Sequence, residues 1–125
     1  GQLLVNRAVL LVDHGSRRPE ANALLEEVAA ALRARMPDCP VRVAHMEFGP
    51  PDIESAIADC VRAGARRILV HPYFLAAGVH TRRDIPERVR AAAEHYPELQ
   101  VEISEPLGFH ERIVDVVLER LGALP

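Results

Sequence analysis

A chain of 125 residues with 49% apolar and 26% charged residues has the composition of a soluble globular protein and the length of one domain, expected to run over 1–125. Its net charge of −3 offers no general field for nucleic acid or an anionic membrane surface, and no apolar run approaches the roughly 20 residues that span a bilayer. All 15 basic residues are Arg, which excludes a catalytic Lys and a Lys-bearing phosphate loop.

The first strand is expected over Ala8–Val12, a continuous apolar run of the kind that is buried on both faces of a parallel sheet. Pro19 fits the first turn of a helix, where its missing N–H costs nothing. Leu24, Leu25, Val28, Ala29 and Leu32 then recur at helical spacing until Pro37 stops the run. A second strand is expected over Val41–Glu47. Pro50-Pro51 opens a second helix carrying Ile53, Ala56, Ile57 and Val61, and Gly64 ends it. The third strand is Ile68–Phe74, followed by a glycine-containing loop and a helix from Asp84 to Tyr96 with Pro86 in its first turn. Leu99–Ile103 is the fourth strand, and Phe109–Leu121 a last helix with Ile113, Val116, Val117 and Leu121 inward. The alternation implies an α/β fold with a four-stranded parallel sheet and helices on both faces. Right-handed crossovers favour the order 2-1-3-4.

Residues 1–12 lack the basic start, apolar stretch and cleavage site of a signal peptide, and Gly1 in place of Met fits a processed start. The expected location is the cytoplasm. Cys39 and Cys60 form no CxxC pair and are expected to be two reduced thiols.

Chemistry concentrates where the first three strands end. His14 follows the first apolar run, Glu47 closes the second, and His80 lies in the loop after the third. In a sheet of order 2-1-3-4, ligands bind outside the carboxyl ends, where strand order reverses between strands 1 and 3. Two imidazoles and a carboxylate converging there suit a borderline divalent ion and leave positions open. The same edge can bind phosphate, but no GxGxxG or Walker-type loop follows the first strand. Taken alone, a histidine at a strand end is more often a hydrogen-bonded loop residue than a ligand. His45, two positions before Glu47, is expected on the same strand face, as an extra ligand, a proton carrier or a packed residue. His71 reads as structural, His95 suits a helix C-terminus, and the purpose of His110 is not set by spacing.

At these residues the chain resembles the ATP-independent chelatases of the CbiX type, which insert Co²⁺ or Fe²⁺ into sirohydrochlorin. The matching elements are His14-Gly15-Ser16-Arg17 after the first strand, Met46-Glu47-Phe48 followed by Pro51-Asp52-Ile53, and Pro72-Tyr73-Phe74-Leu75 with Gly78, His80, Asp84, Ile85 and Pro86. The resemblance implies a flavodoxin-like, chelatase-type half unit. It implies His14 and His80 as the metal-binding pair, Glu47 as their acidic partner, and no permanently bound cofactor. The length matches the family's short form, which works as a homodimer. Two features depart from the family: His45 stands where relatives carry an apolar or aromatic residue, and a histidine-rich loop found in some members is missing.

The residues fit that chemistry. Metal insertion into a tetrapyrrole releases two pyrrole protons and passes the ion to four ring nitrogens, so the donor site must hold the ion loosely. A neutral imidazole can accept a pyrrole proton near neutral pH. Arg17, Arg18, Arg82 and Arg83 flank the histidines, where guanidinium matches the carboxylates of such a substrate. Ser16, Arg17, Phe74, Leu75, Gly78 and Arg82 are the expected substrate-binding residues, Phe74–Gly78 as an apolar wall for a flat macrocycle. Three other readings stay open. A zinc hydrolase could use the same triad, although no HExxH is present. A histidine phosphatase would need Arg before the His, where Asp13 stands. A non-enzymatic metal carrier or binding module would bind the ion without speeding its insertion.

Overall fold

The computed structural model describes residues 6–122. Four strands, β1 (Arg7–Asp13), β2 (Val41–His45), β3 (Arg67–Pro72) and β4 (Gln100–Ile103), alternate with four helices, α1 (Pro19–Arg35), α2 (Ile53–Arg62), α3 (Val79–Ala93) and α4 (Glu111–Arg120). All strand pairs are parallel and the order is β2-β1-β3-β4, as the alternation of the sequence and the handedness of crossovers require. β1 is central, and Ala8 to Val12 along it are all buried, which explains a run that does not alternate.

The sheet divides the apolar residues by parity. Ala8, Leu10, Val12, Ile68 and Val70 face α2 and α3, packing on Ile53, Ile57, Ile85 and Val89. Val9, Leu11 and Val41 face α1 and pack on Leu25 and Ala29. Three of the four helix starts carry a local sequence signal. Pro19 stands in the first turn of α1, and the Asp52 carboxylate accepts from the Ser55 N–H at 2.8 Å to cap α2. The His110 Nδ1 accepts from the Arg112 N–H at 3.0 Å and caps α4, which gives that histidine its role. Both cysteines are free and buried. Burial pushes the Cys60 thiol up to about 11 and raises that of Cys39 as well, so neither ionises readily. No helix among the described residues is long and apolar enough to cross a membrane.

Three boundaries differ from the sequence reading. β2 stops at His45, so Glu47 stands in the following loop. β3 stops at Pro72, which puts Phe74 outside the strand. α3 begins at Val79 rather than Asp84 and continues through Pro86. Pro86 has no N–H for the Arg82 carbonyl, so the helix runs on at the cost of one hydrogen bond. A fourth difference concerns α4. Val116, Val117 and Leu121, expected inward, are exposed, and no α4 residue is buried.

The packing predicts a steep cost for emptying the α2–sheet layer. Ile57 is fully buried, and Ile57→Ala is expected to destabilise the fold by about 2–5 kcal/mol, read from the shift of the urea unfolding midpoint at unchanged slope.

Candidate functional site

The carboxyl ends of β1 and β2 lie in register, Asp13 opposite His45. Pairing does not stop where the strands do. The Met46 N–H donates to the Asp13 carbonyl at 2.9 Å, and the Glu47 N–H donates to the His14 carbonyl at 3.1 Å. His14 and Glu47 are thereby fixed on adjacent chains by backbone alone, with both side chains exposed. Gly15 makes this approach possible. Its φ is +85°, and a Cβ built there would lie 1.8 Å from the Glu47 carbonyl oxygen, so any side chain would force the two loops apart.

A buried polar pair stands beneath this junction. His45 is only 3% exposed, and its Nδ1 lies 2.6 Å from Asp13 Oδ1. The strand alternation that was expected to place His45 and Glu47 on one face ends at His45, so the imidazole points into the protein while the carboxylate stays outside. The pair gives the buried ring a partner that an apolar interior would deny it.

Further contacts hold the loops from outside. Asn22 on α1 accepts from the Ser16 N–H and donates to the Ser16 carbonyl, both at 2.8 Å. The Ser16 hydroxyl oxygen accepts from the Arg18 N–H at 3.1 Å. The Arg17 guanidinium lies over the Phe48 ring, 4.8 Å from its centroid, joining the first loop to the second. Phe48 itself has φ +64°, a left-handed conformation that a residue with a side chain adopts at a cost of about 1–2 kcal/mol. From α3, Arg88 donates to the Met46 carbonyl at 3.0 Å and pairs with Glu54 at 2.8 Å. Its hydrogen bonds hold the Glu54 carboxyl below its ordinary range and raise the guanidinium further.

On the β3 side, the Phe74 ring stacks on the His14 imidazole, centroids 4.6 Å apart. His14 is thus flanked by Glu47's chain on one side and Phe74 on the other. His80 is not in a loop: it lies in the first turn of α3, exposed, two residues after the N-cap Gly78. Phe74, Leu75 and Arg82 line one cavity of about 720 Å³, together with Thr81, Ile85 and Glu105. Ser16, Arg17 and Gly78 do not line it, and a Cβ at Gly78 would meet nothing. The side chains of His14, Glu47 and His80 share the carboxyl edge without closing on one another. Among the described residues no three His, Cys, Asp or Glu side chains gather closely enough to hold an ion.

Asp13, Asn22 and Arg88 were not singled out by the sequence. Asn22 gives a faint signal, as a poor helix former early in an amphipathic helix. The Asp13–His45 pair becomes visible only once the β1–β2 register is known.

Comparison with known proteins follows the same geometry. The CbiX family matches residues 8–124. A chloroplastic sirohydrochlorin ferrochelatase of Arabidopsis thaliana is 40% identical over 113 residues, covering 90% of this chain and 50% of the relative. A sirohydrochlorin cobaltochelatase of Methanococcoides burtonii is 35% identical over 120 residues, covering 90% of this chain and 92% of the relative. The solved structure of SirB from Bacillus subtilis with Fe³⁺ superposes with a TM-score of 0.85 at 31% identity, covering 96% of this chain and 48% of that one. The chain therefore spans about half the length of some relatives and nearly all of others.

Two consequences are testable. Gly15→Ala is expected to lower stability by at least about 2 kcal/mol, because the added methyl meets the Glu47 carbonyl; an unfolding midpoint equal to that of wild type would contradict the geometry. Glu54 contributes through its depressed carboxyl: this stabilisation is complete above its ordinary value of 4.5 and is lost as pH falls from there through the folded value. Urea midpoints compared at neutral pH and in acid should therefore fall less in Glu54→Gln than in wild type. With fold, edge geometry and family match in agreement, the chain belongs to the CbiX family.

Proposed function

We propose that this protein inserts a divalent metal, Co²⁺ or Fe²⁺, into sirohydrochlorin without ATP, as a metal chelatase of cobalamin or siroheme biosynthesis acting in the cytoplasm as a homodimer. The observation that carries the proposal is the position of His14. It is an exposed imidazole at the switch point of the sheet, backbone-tied to Glu47 and stacked on Phe74. The names of the relatives, ferrochelatases and cobaltochelatases of sirohydrochlorin, point the same way.

The chemistry assigned to the residues is a balanced exchange: the ring takes one M²⁺ and releases two N–H protons. His14 and His80 hold the arriving ion by their imidazole nitrogens, and the open, exposed arrangement suits an ion that must leave again. One of the two, in its neutral form, accepts a pyrrole proton. Glu47 balances the charge of the ion or of the imidazolium that forms. Phe74 and Leu75 provide an apolar wall beside the cavity, and Arg82 faces the same space. Among the described residues, Arg17, Arg18, Arg82 and Arg83 enter no ion pair, whereas Arg33, Arg42, Arg66, Arg67 and Arg88 do. Guanidinium groups beside the site that pair with no carboxylate of the described chain suit a substrate rich in carboxylates.

The test is turnover. Wild-type protein at substoichiometric concentration should accelerate the change in the sirohydrochlorin absorption spectrum with Co²⁺ or Fe²⁺. Glu47→Gln, which keeps volume but removes the charge, should slow that rate on the order of 10²–10⁴-fold. His80→Ala should abolish it at matched thermal stability, because His80 is exposed on α3 and its removal empties no core. A wild type that binds the ion but never turns over points to a carrier; hydrolysis of esters or phosphoesters with added Zn²⁺ points to a hydrolase.

A further inference from the structure

Phe48 stands at the carboxyl edge in a conformation that its own side chain opposes. Its φ of +64° is one that Gly or Asn takes readily and an aromatic residue takes at a cost. The side chain gives the fold little in return: Phe48 is 51% exposed and packs in neither apolar layer of the sheet. Strain of this kind persists only where the surroundings impose it, and it gathers where a chain binds or reacts.

The loop is held on either side of this residue. Arg88 donates to the Met46 carbonyl at 3.0 Å, and the Glu47 N–H donates to the His14 carbonyl at 3.1 Å. Beyond Phe48, a Cβ built at Gly49 would lie 2.7 Å from Asn22 Nδ2, so the loop lies tight against α1. With residues 46, 47 and 49 fixed in this way, residue 48 has little room to relax. Its ring is covered by the Arg17 guanidinium, 4.8 Å from the centroid. Such stacking uses the flat face of the guanidinium and leaves its N–H groups free at the rim. Among the described residues Arg17 enters no ion pair.

Sheet order sets where this pair stands. The strands run β2-β1-β3, so along the edge Phe48 follows β2, His14 follows β1 and Phe74 follows β3. β2 and β3 are two strand spacings apart, roughly 10 Å, which is comparable to the width of a tetrapyrrole ring.

We propose that Phe48, with Arg17 stacked on it, is a second resting surface for the flat substrate, across His14 from Phe74. The proposal rests on the chelatase reading above and adds to it a residue that positions the ring. The ligand class is a conjugated macrocycle with carboxylates at its rim. Phe48 and Phe74 meet the ring face on either side of His14, and the Arg17 N–H groups meet a rim carboxylate. The cavity lined by Phe74 and Arg82 takes the opposite rim, and Arg17 serves the substrate without lining that cavity.

Titration with the metal-free ring, followed by turnover, tests this on the full chain. Phe48→Gly and Phe48→Asn both accept a positive φ, whereas Phe48→Tyr keeps the ring. The Gly and Asn variants are expected to hold the urea midpoint at or above that of wild type, because strain is relieved. Their affinity for sirohydrochlorin, read from its absorption without metal, should fall on the order of 10–100-fold. KM should rise with it while kcat stays nearly unchanged. Phe48→Tyr should bind as wild type does, and light scattering should show one particle size throughout. The proposal is overturned if the Gly and Asn variants bind like wild type, or if the wild type takes up no ring at all. It is overturned as well if affinity is lost only together with a lowered midpoint or a changed size. A wild type that turns over, with KM unchanged in the Gly and Asn variants, leaves the chelatase reading standing without this surface. A wild type that binds the ring through Phe48 but never inserts metal sinks the chelatase reading and leaves the surface in place.

Discussion

Past Asp13 and His45 there is no more sheet to pair, yet the backbones of the first two loops stay bonded for two further residues. That extension, from the Met46 N–H to the Asp13 carbonyl and from the Glu47 N–H to the His14 carbonyl, is the constraint on which the rest of the edge depends. It needs the parallel register of β1 and β2, and it needs a residue without a Cβ at position 15. Because backbone groups do the holding, the His14 and Glu47 side chains are placed without being used up. The proposed transfer of an ion would call for donors of this kind, fixed in position but not locked to one another.

The polar groups around the edge divide accordingly. Those that hold structure are paired: His45 to Asp13, Asn22 to both backbone atoms of Ser16, Arg88 to Glu54 and the Met46 carbonyl. The last two groups reach in from α1 and α3, so each loop is tied both to its neighbour and to a helix. Burying His45 without Asp13 would leave an uncompensated polar ring in the interior, at a cost of about 1–3 kcal/mol. The buried imidazole of His45 thus requires the carboxylate of Asp13, and the two are best understood as one unit.

Much of this was legible in the sequence, and the reasons are specific. A five-residue apolar run such as Ala8–Val12 has few alternatives to a central parallel strand, and the helix stripes of Leu25/Ala29 and Ile53/Ile57 found the faces they were expected to find. Sheet order followed from crossover handedness, and with it the location of His14. What failed lay at strand and helix ends, where pattern gives way to tertiary contact. Val41–Glu47 looks uniform, but the strand pairing ends at His45. Pro86 was placed in a first turn because proline is most at home there, whereas α3 begins seven residues earlier and passes through it. That shift moves His80 from a loop onto a helix. The register-dependent Asp13–His45 pair has no one-dimensional signature at all.

The misreading of α4 is of a different kind, because its pattern was read correctly and its partner was not. An amphipathic stripe states that a helix needs an apolar surface; it does not state on which chain that surface lies. Within one chain the demand and the supply both exist, in Val116, Val117 and Leu121 on the helix and in Leu69 beside His71 on the sheet, but the bonds from Leu107 and Gly108 to the β3–α3 loop direct the helix away. The same bonds anchor the loop that holds Phe74 against His14. A connection that stabilises the edge of the site therefore also decides where the last helix goes, and the two features are coupled through the backbone of residues 74–75 and 107–108.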